Sequence, residues 1–161
     1  MYKRSNRLYV VALILATAVS CGSIKGQPVQ LDKITDWKGE SGICKGYQTG
    51  VEKHRQKQYA EAFKIWHPLA EAGCPRAQAS LGTLYETGRG VSLDSDLALK
   101  WYLRAAEQKE PDAYYYLGWH YITEGKDHNP EKAKFWFEKA ANSDSMRVRG
   151  KSNEMLRDFW Y

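Results

Sequence analysis

No stretch of this sequence is apolar for long enough to cross a bilayer. The longest such run, Leu8–Val19, has 12 residues, against the roughly 20 that a spanning helix needs. Catalytic signatures are equally scarce. There is no G-x-S-x-G elbow, no phosphate-binding Gly-rich loop and no dinucleotide turn, so neither an enzyme nor a nucleotide cofactor is expected. The histidines His54, His67, His120 and His128 form no H-E-x-x-H and do not stand at zinc-ligand spacing with cysteines, so no metal is expected. His67, beside Pro68, reads as structural, and His128, beside a helix cap, reads as solvated. Cysteine is sparse, and without a C-x-x-C a redox motif is not indicated. A formal charge of +5 at first points to nucleic acid, but Lys3, Arg4 and Arg7 supply three of those charges and leave about +2 for the rest. No nucleic-acid partner is expected.

What is present begins with an export signal. A basic Met1–Arg7 segment precedes the apolar run and small residues follow it, the order of a secretory signal peptide over residues 1–20. Two processing readings compete. Ala16-Thr17-Ala18 fits an A-x-A cleavage site, whereas Ala18-Val19-Ser20-Cys21 resembles a bacterial lipobox that would make Cys21 a lipidated N-terminus. On the second reading the protein is a lipoprotein on the periplasmic side of the outer membrane or at the cell surface. On the first it is soluble, periplasmic or secreted. Residues 21–43 mix Gly, Ser, Pro and charge and read as a tether.

Beyond the tether the chain repeats. Pro75, Ala77, Leu81, Gly82 and Tyr85 recur 36 residues later as Pro111, Ala113, Leu117, Gly118 and Tyr121. Ala98, Trp101, Tyr102 and Ala105 recur 35 later as Ala133, Trp136, Phe137 and Ala140. Apolar spacings of three and four make each unit two helices. Pro75 and Pro111 suit first helical turns. Gly88 and Gly125 lie in the loops that end the first helices, and Asp94 and Asn129 suit N-caps of the second. Gly inside a helix costs about 1 kcal/mol against Ala, so the recurrence of Gly82 and Gly118 asks for a packing reason. An earlier unit keeps Ala62, Trp66 and Ala70 but has a polar first helix around Gly50.

The run Leu81–Ala106, LGTLYETGRGVSLDSDLALKWYLRAA, resembles the Sel1-like repeat, a relative of the tetratricopeptide repeat. That resemblance implies an all-α, right-handed superhelical solenoid of about three antiparallel hairpins. Its units are about 44–74, 75–109 and 111–143, and residues 144–161 form a capping helix through Met146, Val148, Met155, Leu156 and Phe159. In such a hairpin Cys44 and Cys74 occupy adjoining ends. They read as a disulfide of about 30 residues' span worth roughly 3–4 kcal/mol, or else as two separate thiols.

The resemblance further implies a non-enzymatic scaffold that binds a protein or peptide of the cell envelope along its first helices. Carrying the register over gives groove positions Tyr47, Val51, His54 and Arg55, then Arg76, Ala79, Thr83 and Glu86, then Asp112, Tyr115, Trp119 and Ile122. Tyr115, Trp119 and Ile122 form an apolar stripe beside the packing face, open to a partner or covered by the cap or tether. Two other functions stay open: sequestration of one envelope protein by a regulatory or immunity-type chain, and binding of a cell-wall glycan or β-lactam. Some cysteine-rich Sel1-like proteins are described as β-lactamase-like. Those carry a cysteine pair in each repeat, and this chain lacks S-x-x-K, S-D-N and K-T-G.

Overall fold

The computed structural model describes residues 42–123 and 125–161. The signal segment, Cys21 and tether residues 21–41 lie outside that range. The described part is helical. A short 3-10 turn, Gly42–Cys44, precedes seven α-helices: α1 Tyr47–Arg55, α2 Tyr59–Glu71, α3 Pro75–Thr87, α4 Ser95–Glu107, α5 Pro111–Ile122, α6 Pro130–Ala141 and α7 Met146–Trp160. The turn takes up the last two positions assigned to the tether, because Cys44 is drawn into the core.

Local chemistry sets these boundaries. Pro75, Pro111 and Pro130 stand in first turns, where the missing N–H leaves no bond unmade. The Asp94 and Asn129 carboxyl and amide oxygens accept from the Leu97 and Lys132 N–H groups, each at 2.9 Å. Gly88 ends α3 in the left-handed conformation, with φ 62°.

The helices pair as α1 with α2, α3 with α4 and α5 with α6, and α7 packs on α6. Each pair closes on one contact: an aromatic ring of the second helix packs directly against a glycine of the first. A Cβ added at Gly50 would sit 2.1 Å from the Trp66 ring, at Gly82 2.3 Å from Tyr102, and at Gly118 2.7 Å from Phe137. The helical cost of glycine is therefore offset by ring burial, about 25 cal/mol per Å² of apolar surface. The same lock in all three hairpins makes the polar α1 a true counterpart of α3 and α5. This is a helical-repeat solenoid.

Successive hairpins are tied by burial and by amides. Gln78, buried, donates from Nε2 to the Ala70 carbonyl at 3.0 Å, and its Oε1 accepts from Gln108 Nε2 at 2.8 Å. Tyr47 and Ser80 hydroxyls meet at 3.0 Å between α1 and α3. The Cα atoms of Cys44 and Cys74 lie 5.1 Å apart, within reach of a disulfide, and both residues are buried where the first hairpin meets α3.

In α7, Val148, Ser152 and Leu156 repeat every fourth residue and face α6, with Met155 and Trp160 alongside. Met146 and Phe159, expected in that contact, point to solvent instead. The helical phase set by Val148 and Leu156 turns Met146 outward, whereas Phe159 shares their phase but stands in the last turn of α7.

Candidate functional site

The first helices also touch one another, α3 with α5 and α5 with α7. On that side a cavity of about 380 Å³ opens between hairpins, lined from α1 by His54, from α3 and its loop by Thr83, Glu86, Thr87 and Arg89, from α4 by Tyr102, and from α5 and the residue that caps it by Tyr115, Tyr116, Trp119, His120 and Thr123.

Five residues placed in a groove by the sequence register come together here: His54, Thr83, Glu86, Tyr115 and Trp119. The others do not line it. Tyr47 stacks on Trp66, with ring centroids 5.8 Å apart, and Val51 packs beside it, so both complete the core of the first hairpin. Arg55 turns outward to Glu52. Arg76 lies over the Tyr47 ring at 5.1 Å. Ala79 is buried between hairpins. Asp112 is held by Arg147 of α7. Ile122 packs onto the core beside Tyr121. The stripe is thus reduced to Tyr115 and Trp119. The cap reaches Tyr115 through Lys151, whose Nζ sits 5.7 Å over the ring, and leaves Trp119 38% exposed.

The aromatic floor is rigid. Tyr102 and Tyr116 stack at 5.5 Å, and Tyr115 meets Trp119 and Phe137 edge-on at 6.3 and 5.9 Å. Burial raises the Tyr102 phenol pKa and pushes that of Tyr116 up to about 12, so both stay neutral. Thr83 and Thr87 spend their hydroxyl protons on the Ser80 and Thr83 carbonyls and keep oxygen lone pairs free to accept.

His120, absent from the groove set read in the sequence, is the buried polar centre. Its Nδ1 lies 3.2 Å from Glu86 Oε2, and its Nε2 lies 3.7 Å from Asp127 Oδ2. The Glu86 hydrogen bond raises the imidazole pKa; burial opposes that rise, and the charges of Glu86 and Asp127 reinforce it. Nε2 makes no hydrogen bond at that distance, and the side chain is 3% exposed, so the imidazole is largely closed to solvent. A signal for it does exist in the sequence. His120 stands 36 residues after Leu84, a fully buried repeat position, and a histidine in a leucine's place needs a polar partner.

Arg89 stands in the loop that follows the Gly88 end of α3. It lies between Gly88 and Gly90, both at positive φ, and its guanidinium rests 5.4 Å over the Tyr59 ring. Gly90 abuts the start of α2, where an added Cβ would come within 2.6 Å of backbone atoms. The loop, and Arg89 with it, is pinned at the cavity rim. Burial and the Arg89 charge both lower the pKa of His54.

The family model for the Sel1 repeat matches residues 75–110 and 111–145. The crystal structure of a Sel1 repeat protein from Oxalobacter formigenes is similar at 32% identity and a TM-score of 0.55, covering 70% of this chain and 89% of that one. The crystal structure of c5321, a protective antigen present in uropathogenic Escherichia coli strains displaying an SLR fold, is similar at 27% identity and a TM-score of 0.59, covering 72% of this chain and 26% of that one. Among curated proteins, the chitin synthase regulator SKT5 of Saccharomyces cerevisiae is 39% identical over 80 residues, 47% of this chain and 12% of that protein. The ERAD-associated E3 ubiquitin-protein ligase component HRD3B of Arabidopsis thaliana is 31% identical over 114 residues, 70% of this chain and 18% of that one. The chain therefore spans under a fifth of these curated relatives.

Proposed function

The chain belongs to the Sel1 repeat family, and from that premise we propose that it is a non-catalytic adaptor that binds a protein partner in the cavity between α3 and α5. One observation carries this reading. Trp119 keeps 38% of its surface exposed on a rigid aromatic floor, beside a wall of hydrogen-bond acceptors. Trp and Tyr held in such pockets dominate binding energy at protein interfaces, and their fixed rings lose little entropy on contact. The names of the relatives, a synthase regulator and a ligase component, agree with a role in assembly rather than chemistry.

The envelope location belongs to the same proposal. It rests on the basic-apolar-small order of residues 1–20 and on Cys21 after Ala18-Val19-Ser20. An adaptor anchored by a lipid at Cys21 would present the repeat domain at the end of a short tether.

The test is a photo-crosslinking residue at position 119 in the native chain, irradiated in cells, with a matching probe at Lys100, exposed on α4. A discrete protein adduct from position 119 alone supports the adaptor. A folded, exported protein that yields none from position 119 refutes this cavity as the docking site.

A further inference from the structure

We propose that the cavity selects an acidic segment of its protein partner, seating an apolar or aromatic side chain on Trp119 and Tyr115 and carboxylates at Arg89 and Lys151. This rests on the reading of the cavity as a protein-docking site and adds the chemistry of what docks.

Charge distribution carries it. Among the described residues the cavity wall holds one carboxylate, Glu86, and it is engaged by His120. Asp127 faces the far side of the same imidazole, and Asp112 is engaged by Arg147. The cations are placed differently. Arg89 stands at the rim over Tyr59, and Lys151 stands over Tyr115 at the α7 side. Among the described residues neither Arg89 nor Lys151 has a carboxylate partner. Each rests on an aromatic face, which orients the charge without neutralising it. Their guanidinium and ammonium groups therefore flank Tyr115 and Trp119 with positive charge that no described carboxylate pairs with. The wall threonines offer acceptor oxygens for backbone N–H groups of an extended segment. A basic segment would meet two like charges and, among the described residues, only a Glu86 carboxylate already engaged by His120.

The volume limits the occupant as well. About 380 Å³ accommodates one large side chain and its neighbours rather than a helix laid lengthwise. The recognised unit is a short acidic stretch around one anchor residue.

The test uses a random peptide display library, selected on the full exported protein and counter-selected on Trp119→Ala. We expect recovered sequences to place Asp or Glu within a few positions of a Trp, Tyr, Phe or Leu. Synthetic peptides of those sequences should lose about tenfold in affinity when their acids become amides, as expected for lost charge-assisted bonds. Arg89→Gln and Lys151→Gln should each weaken binding several-fold while leaving the helical circular dichroism unchanged, and raised salt should reduce the affinity for the acidic peptides. Recovered sequences that are neutral or basic, yet still depend on Trp119, would overturn the acidic specificity and leave the docking site standing. Recovery of nothing that distinguishes wild type from Trp119→Ala would overturn both. Binding of a cell-wall oligosaccharide that competes at Trp119 would replace the protein partner with a glycan.

Discussion

His120 Nδ1 lies 3.2 Å from Glu86 Oε2 and joins α5 to α3 beneath the cavity. Its pKa in the folded protein is raised above the ordinary value of about 6.5, by the Glu86 bond first. The contribution to stability is therefore complete below the unfolded pKa and is lost as pH rises through the folded one. The groups facing the ring are Glu86 from α3 and Asp127 from the following loop, with the Tyr121 ring edge-on at 5.3 Å. Thermal melts from pH 5 to pH 9 should show Tm falling above pH about 6.5, and His120→Gln should flatten that part of the profile. An unchanged profile in the variant would remove His120 as its source.

Glycine substitutions separate packing from propensity. Gly82→Ala gains about 1 kcal/mol of helix propensity but drives a methyl group to within 2.3 Å of the buried Tyr102 ring. Overpacking of that kind costs about 1–3 kcal/mol, and the ring, stacked on Tyr116, has nowhere to go. Urea denaturation should show Gly82→Ala less stable than wild type. Gly150→Ala is the control, because in α7 nothing lies within 4 Å of the added Cβ. It should be more stable, by up to about 1 kcal/mol.

Cys44 and Cys74 are buried with Cα atoms 5.1 Å apart. Mass spectrometry of the exported protein without reductant should find them joined, and Cys44→Ala or Cys74→Ala should cost roughly 3–4 kcal/mol, since the bridge closes a loop of about 30 residues in the unfolded chain. Two free thiols in the exported protein would refute the bridge.

The anchor is checked by metabolic labelling with a fatty-acid precursor. Wild type should take up label and Cys21→Ala should not. An unlabelled wild type would make the protein a soluble exported one.

The second and third hairpins were legible because each carries a full period of proline, glycine, leucine and aromatic markers. The first was legible only in its second helix, where Trp66 and Ala70 keep the period; Gly50 acquires meaning once the Trp66 ring is seen against it. The cavity was half legible. Periodicity separates packed from unpacked faces of one helix, and so places Thr83, Tyr115 and Trp119. It says nothing of partners one repeat away. Asp112 is taken up by Arg147, 35 residues on, and Glu86 by His120, 34 residues on. Arg89 is legible as a loop residue, but its position at the rim depends on two glycine backbones and on Tyr59.

The outward face of α7 carries Arg149, Asn153, Glu154, Arg157 and Asp158, all exposed. That mostly charged row, with Met146 the one large apolar side chain beside it, is a poor inner wall for another hairpin, so the array extends more readily at the seam between α6 and α7 than beyond α7. An extra repeat spliced between α6 and α7 would find apolar surface above and below it, whereas the same repeat fused after Tyr161 would dangle as an independent and marginal pair of helices. Elongation of this architecture, by engineering or by gene duplication, is accordingly an insertional event rather than a terminal one.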